Sequence, residues 1–215
     1  MTLSTMIAKM AQGLQNTTSI FLLTLLFSLP LGMLVAFLRM SRFRIVSAVA
    51  RVYISVLRGT PLMLQLLAVA YGPFYLFGWS VSRNKLVPVT IAFALNYAAY
   101  FAEIYRGGIE SIPVGQYEAA HVLGYSRAQT FRRIVLPQVV KRILPAVTNE
   151  VVTLVKDTSI AFSIAYQEMF SIGKQIANSQ SSFMPFVIAG VFYFLFNALV
   201  GFVMGRFEKL LGYYR

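Results

Sequence analysis

The 215 residues predict an all-α protein embedded in a membrane, and three observations carry that prediction. Hydrophobic residues make up 58% of the chain and charged residues only 12%, with a mean hydropathy of +0.68. A soluble fold of this length has too little interior to hide so much apolar surface, whereas a bilayer accepts it. Apolar stretches of about twenty residues recur along the chain, the length needed to cross about 30 Å of hydrocarbon as a helix. Finally, the basic residues sort into alternate loops.

Five segments qualify as spans. The first is about Thr18–Leu38. No charge interrupts Met10 to Leu38, which is too long for the core of a cleavable signal peptide, so a retained span is expected. The second follows Arg58-Gly59-Thr60-Pro61, with Thr60 expected as a cap and Pro61 at the first helical position, and runs to about Phe77. The third extends from near Pro88 to about Ile104, ending before Arg106-Gly107-Gly108. The fourth, less apolar, covers about Ile143 to Ala165, and the fifth covers Pro185–Gly205. Helices are required, because every backbone polar group in lipid must find its partner internally.

Charge sets the direction. Fourteen basic residues fall on one side: Arg39, Arg42, Arg44, Arg51 and Arg58 after the first span, Arg106, Arg127, Arg132, Arg133, Lys141 and Arg142 between the third and fourth, and Arg206, Lys209 and Arg215 at the end. Four (Lys9, Arg83, Lys85 and Lys174) fall on the other, and Lys156 lies within a span. The bias puts the amino terminus outside and the carboxyl terminus in the cytoplasm. Between the first two spans, Ile45, Val49, Val52, Tyr53 and Val56 share one helical face and Arg44, Arg51, Ser55 and Arg58 the other. Such a helix either lies in the interface with its arginines toward lipid phosphates or extends the second span inward. No repeat or linker divides the chain, so residues 1–215 read as a single transmembrane domain.

Composition also excludes functions. A net charge of +12 would suggest nucleic acid for a soluble protein, but apolar spans part the arginines, and positive inner loops facing anionic lipid account for the excess. No cysteine is present and only one histidine, His121, which is read as a surface residue without a role. That leaves no metal cluster and no Ser-His or Cys-His pair, so an enzyme is not expected. Trp79 fits an anchor at the outer boundary.

The longest loop, residues 105–142, has unusual local order. Pro113 can open a short helix through Glu118 to about Leu123, ended by Gly124 in the left-handed conformation. Ser126 with Gln129 forms a capping-box pattern starting a second helix toward Pro137. Two short helices at an angle make a knob, on which Ala119 and Ala120 allow close approach and Glu118, Arg127, Arg132 and Arg133 supply a polar rim. Ionisable residues at membrane depth default to functional candidates. Measured from Ile143, Glu150 lies ~10 Å and Lys156 ~20 Å into the fourth span at ~1.5 Å per residue. Glu150, Thr153 and Asp157 share a face. Glu150 suits an ammonium group; Asn96, Tyr97, Tyr100 and Gln65 offer uncharged hydrogen bonds. Lys156 stays open between a contact with substrate and a structural role, either a salt bridge with an acid of a partner or snorkelling outward. Tyr97 reads first as a packing aromatic. Glu103 is expected to pair with Arg106 three residues on or with a loop arginine.

The spacing Glu118-Ala119-Ala120, Gly124, Ile134, Leu136-Pro137 resembles the docking loop of permease subunits of bacterial ATP-binding-cassette (ABC) importers. Arg58-Gly59-Thr60-Pro61-Leu62 with Gln65, and Asn149-Glu150 with Leu154-Val155-Lys156-Asp157-Thr158-Ser159, are similar to the polar amino acid uptake branch of that family. The likeness covers nearly the whole chain and is weakest in 1–15 and 166–184. It implies a type I importer permease of the inner membrane, not catalytic by itself. It implies docking through Glu118, Ala119, Ala120, Gly124, Leu136 and Pro137, and a substrate path past Asn96, Tyr100 and Glu150, with Gln65 and Lys156 as further candidates. The implied partners are two copies of an ABC ATPase subunit, a second permease (identical or related), an extracytoplasmic binding protein, an amino acid and membrane lipid, but no nucleic acid. ATP and magnesium would sit on the ATPase, this chain holding no cofactor. The chain shows no phosphate-binding Gly-rich Lys-Ser/Thr loop. A secondary transporter using Glu150, Lys156 and Asp157 as an ion relay is the competing class, and the lack of an inverted repeat argues against it.

Overall fold

A computed structural model of the chain describes residues 2–211; of the residues counted above for orientation, Arg215 lies outside them. All the regular structure among the described residues is helical. Helix α1 (Leu3–Arg39) starts well before the expected Thr18, with the Thr2 side chain accepting from the Thr5 amide. At ~1.5 Å per residue it is longer than the ~30 Å hydrocarbon layer. It packs along α4 (Leu86–Glu110), the most extensive helix pair in the fold. The buried face of α4 carries Ala98, Ala99 and Ala102, small residues that let two backbones approach, as helix pairs in lipid require. The outward faces remain apolar: Leu22, Leu26 and Phe27 on α1 and Phe194, Leu195, Leu199 and Phe202 on α9 (Met184–Leu211) are exposed. That is the inverse of a soluble helix and suits a lipid or protein neighbour.

Three helices, α1, α4 and α9, are long and apolar enough to cross a membrane. A fourth candidate is broken. Helix α2 (Arg44–Gly59) and α3 (Leu62–Phe77) meet at a 109° bend, so α2 is not a straight inward extension of the second span. It packs on α1 and α4 through Ala50 and Ile54, leaving Ile45, Val49, Val52 and Val56 exposed. The Tyr53 hydroxyl donates to the Leu95 carbonyl at 2.7 Å. The expected roles of Thr60 and Pro61 need correcting. Thr60 closes α2, its hydroxyl donating back to the Val56 carbonyl, while Pro61 takes the N-cap position of α3 with no side-chain cap.

Beyond α4 come α5 (Val114–Val122) and α6 (Arg127–Thr130), then a π-helical turn (Phe131–Val135) that runs directly into α7 (Leu136–Asp157). A 3₁₀ segment (Thr158–Ile164) and α8 (Met169–Gln180) complete the chain before α9. The expected fourth span is therefore the second half of α7 plus the 3₁₀ segment. Helix α7 packs against α9 and α4, and α8 against α1 and α9.

Helix α4 does not end at Gly107-Gly108 as expected but continues to Glu110. The reason is tertiary. A Cβ on Gly108 would lie 2.2 Å from Ile143 Cγ2 and 3.2 Å from Val139 Cγ1, so the glycine is where α4 and α7 touch. Gly108→Val is expected to wedge the two apart and cost about 1–3 kcal/mol, read as a lower thermal midpoint in detergent. Gly107→Val, facing open space, serves as the control and should cost much less.

Candidate functional site

Two places on the molecule gather chemistry. The first is a 210 Å³ cavity lined by Leu62 of α3, Asn96, Tyr97 and Tyr100 of α4, and Glu150, Thr153 and Asp157 of α7. Local geometry builds its wall. Asn96 and Tyr100 are four residues apart on one face of α4, and Glu150, Thr153 and Asp157 recur at three and four on α7. The helix break at Arg58–Pro61 opens the third side.

That break is held by side-chain amides. Gln65 Nε2 donates to the carbonyls of Leu57 (2.8 Å) and Thr60 (3.0 Å) and to the Thr60 hydroxyl (2.8 Å). Asn96 Nδ2 donates to the Leu57 carbonyl (3.0 Å) and to Gln65 Oε1 (2.9 Å). The last carbonyls of a helix have no intrahelical partner; here both amides take that of Leu57, Gln65 takes that of Thr60 just past the helix end, and the Thr60 hydroxyl takes that of Val56. Asn96 thus lines the cavity, while Gln65 stands one layer behind it. The Tyr97 hydroxyl donates to Asp157 Oδ2 at 2.7 Å, so Tyr97, read first as packing, is both packed and polar. The Arg58 guanidinium sits 5.1 Å above the Tyr100 ring.

Of the five residues expected along a substrate path, the structure brings together Asn96, Tyr100 and Glu150. Lys156 is exposed and off the cavity wall; its neighbour Asp157 takes the inward place. Thr153 and Asp157 went unselected although the sequence carried their signal, the shared helical face with Glu150. Glu103 pairs with Arg106 at 2.6 Å, as the three-residue spacing predicts, and Arg106 also reaches Glu110 at 2.5 Å.

The second place is the knob between α4 and α7. Gly124 is left-handed at φ +77°, and its amide donates to the His121 carbonyl at 2.9 Å. The Ser126–Gln129 capping box is present in both directions. Glu118 and Ala119 are exposed on α5. Ala120 is not: it is 1% exposed, so its small side chain serves packing inside the knob rather than approach from outside. Ile112, Val135 and Val139 bury the base of the knob against Ile109, Phe131 and Ile143. Arg142 braces it by donating to the Ser111 carbonyl and hydroxyl. Ile134 lies in the π turn, and Leu136 and Pro137 are the first residues of α7, which continues that turn without a break. A second cavity, of 540 Å³, lies open on the knob between Tyr117, His121, Tyr125, Arg127, Thr130 and Phe131. With one histidine, one arginine and three aromatic rings it suits a protruding side chain of a partner better than a solute. Among the described residues no group of histidines, cysteines or carboxylates could hold a metal ion.

The family described as "Binding-protein-dependent transport system inner membrane component" matches residues 28–213. The chain is 36% identical over 200 residues to the nopaline transport system permease protein NocM of Agrobacterium fabrum, covering 89% of this chain and 83% of that one. It is 34% identical over 205 residues to the L-cystine transport system permease protein TcyB of Bacillus subtilis, covering 94% and 86%. Among solved structures, an amino acid ABC transporter crystallised with histidines superposes with a TM-score of 0.86 at 32% identity, covering 94% of both chains. The inward-facing methionine transporter MetNI, at 20% identity and a TM-score of 0.71, shares the fold. The chain has the type I ABC permease fold and belongs to the binding-protein-dependent transport system inner membrane component family, as a permease subunit of an importer.

Proposed function

We propose that this chain forms the translocation path of an ATP-driven, binding-protein-dependent importer of amino acids, and that the cavity between α3, α4 and α7 is where the solute rests. The observation that carries the substrate class is the make-up of that cavity: carboxylates, tyrosine hydroxyls and an amide around 210 Å³. At ~30 Å³ per water molecule this is the space of about seven waters, the scale of a single amino acid. The similarity to nopaline and cystine permeases supports the same class. Asn96, Tyr100 and Glu150 contact the solute, and Gln65 holds Asn96 and the helix break in place. Lys156 lies outside the cavity and is assigned an ion pair with a neighbouring subunit.

The chain crosses the membrane five times, counting the bent α2–α3 pair as one span and α7 with the 3₁₀ segment as another. The amino terminus is outside and the carboxyl terminus cytoplasmic. Two such permeases, identical or related, pair in the membrane as one transmembrane domain each. Each rests its loop 105–142 on one of two ATPase subunits, through Glu118, Ala119, Gly124, Leu136 and Pro137, with Ala120 keeping the knob compact. A binding protein delivers the solute from outside. This chain carries no cofactor; ATP and magnesium belong to the ATPase, whose closure moves the knob and with it α4 and α7. The continuous path from Ser126 through the π turn into α7 supports that linkage.

Glu150→Gln tests the reading. In proteoliposomes holding the permease, ATPase and binding protein, ATP-driven uptake is expected to fall ~10-fold or more, the worth of a charge-assisted hydrogen bond. Co-purification with the ATPase should be unchanged. Normal uptake with an unaltered substrate profile would remove Glu150 from the path, and uptake without any ATPase would overturn the importer.

A further inference from the structure

Resting on that reading, we infer that a separate inner site lies on the cytoplasmic side of the solute cavity, between the last turns of α4 and the first half of α7. It holds the amino acid by its main-chain ends, Glu103 taking the ammonium group and Arg142 the carboxylate. The inner cavity has a volume of 360 Å³ and is walled by Glu103, Gly107 and Ser111 on one side and Arg142, Ile143 and Ala146 on the other. None of these residues lines the 210 Å³ solute cavity. At ~30 Å³ per water molecule the inner cavity has the space of about twelve waters, enough for one amino acid that keeps part of its hydration.

Helical spacing puts the two cavities in series. On α4 the solute cavity takes Asn96 and Tyr100 and the inner one takes Glu103 and Gly107, a run at intervals of four, three and four. On α7 the run is Asp157, Thr153, Glu150, Ala146 and Ile143, again at fours and threes. Tyr100 to Gly107 and Glu150 to Ile143 are both two helical turns, so each helix puts the inner cavity ~10.5 Å beyond the solute cavity. Arg58 links them. Its guanidinium lies 5.1 Å above the Tyr100 ring, within electrostatic reach of Glu150 in one cavity and Glu103 in the other. The seam between α4 and α7 is thus one polar track running from the solute cavity toward the end of α4.

The two walls complement the two ends of an α-amino acid. Arg142 spends Nη1 on the Ser111 carbonyl and hydroxyl. Its Nε and Nη2 meet no acceptor among the described residues, and that pair of donors grips a carboxylate side-on. Glu103 accepts one bond from Arg106 at each oxygen, which fixes its orientation and leaves each oxygen a further lone pair for an ammonium group. Gly107 supplies the room: a Cβ there would meet nothing within 4 Å, so the backbone of α4 stands bare toward the cavity. A site that grips only the ammonium and carboxylate groups passes on any amino acid the solute cavity has already selected.

The chain contains no cysteine, so a single introduced thiol reports on the inner cavity. Gly107→Cys is labelled with a water-soluble methanethiosulfonate in the permease–ATPase complex in nanodiscs, without the binding protein, and the labelled fraction is read from the mass of this chain. The common L-amino acids are added one at a time. Those that the wild type takes up with ATP are expected to slow labelling severalfold, whereas the matching amines and carboxylic acids, each offering one charge, should not. Asn178→Cys, exposed on α8 and lining neither cavity, should label at one rate throughout. Glu103→Gln should raise the amino acid concentration needed for protection ~10-fold, while Glu150→Gln should leave it unchanged. In uptake, Gly107→Val should lower the maximal rate severalfold with the thermal midpoint near wild type. The loss should be greater for large amino acids than for small ones, a dependence on solute size that a fold defect does not produce. Three results would each overturn the inner site and leave the importer standing: no protection by any transported amino acid, protection lost in Glu150→Gln but kept in Glu103→Gln, or full uptake in Gly107→Val. If the wild-type complex took up no amino acid with ATP, both readings would fall.

Discussion

Gly124→Val is expected to cut ATP-driven uptake by about tenfold or more while the membrane helices stay folded. Gly124 holds φ +77°, a region that costs an L-residue about 1–2 kcal/mol and a β-branched one more. Nothing lies within 4 Å of where its Cβ would be, so the penalty is conformational, not steric. The chain escapes it by leaving the left-handed region. That breaks the turn in which Gly124 donates to the His121 carbonyl and Tyr125 to that of Ala120. Helix α5, carrying Glu118 and Ala119, then changes its angle to the Ser126 capping box and the π turn. A penalty of about 1.4 kcal/mol is tenfold in the population of the docked shape. Asn tolerates the left-handed region, so Gly124→Asn should keep uptake within about threefold. The measurements are uptake in proteoliposomes, co-purification of the ATPase, and the thermal midpoint of the permease. Full uptake in Gly124→Val with the ATPase retained would show that motion does not pass through the knob.

The knob was legible because its determinants are local. Pro113, Gly124 and the Ser126–Gln129 pair act within four residues of themselves, and so does Glu103 with Arg106. Where sequence reasoning went astray, the cause lies across the fold. Gly107-Gly108 reads as a helix end, yet α4 continues because Gly108 is the contact with Ile143. Ala120 reads as exposed on α5, yet it faces the inside of the knob. Thr60-Pro61 reads as a helix start with a cap, yet the threonine back-bonds to Val56 and the break is held by Gln65 and Asn96 from other turns. In the cavity, periodicity placed Glu150 and Asp157 on one face, but the packing of α4 against α7 decides that this face, and not that of Lys156, turns inward.

Glu168→Leu is expected to cost about 3 kcal/mol or more at pH 5, while Glu168→Gln should instead flatten a pH profile that the wild type shows. Glu168 is fully buried at the N-cap of α8, accepting from the amides of Phe170 at 2.6 Å and Ser171 at 2.5 Å and from the Tyr193 hydroxyl at 3.0 Å. Thr17 of α1 accepts from the Met169 amide at 3.2 Å, so this carboxyl sits where α1, α8 and α9 meet. Leucine leaves the Phe170 and Ser171 amides without their acceptor and takes one partner from the Tyr193 hydroxyl, each lost bond at the amides worth about 1–3 kcal/mol. For pH the opposing effects are burial, which raises the acid's pKa, and the three donors, which lower it. Burial prevails and pushes Glu168 up to about 7. A folded-state value above the ordinary carboxylate range means that the fold favours the protonated acid. Its contribution is fully present below that range and is lost as pH rises through about 7. Over that window the loss is about 3 kcal/mol at about 1.4 kcal/mol per pKa unit. The thermal midpoint of the detergent-solubilised protein should therefore fall between pH 5 and pH 8, with Glu168→Gln holding steadier across the interval. Subtracting the Gln profile removes the contribution of other groups that titrate in the interval. A wild-type midpoint that follows the Gln variant at every pH would mean that the three donors win and Glu168 stays ionised in its buried site.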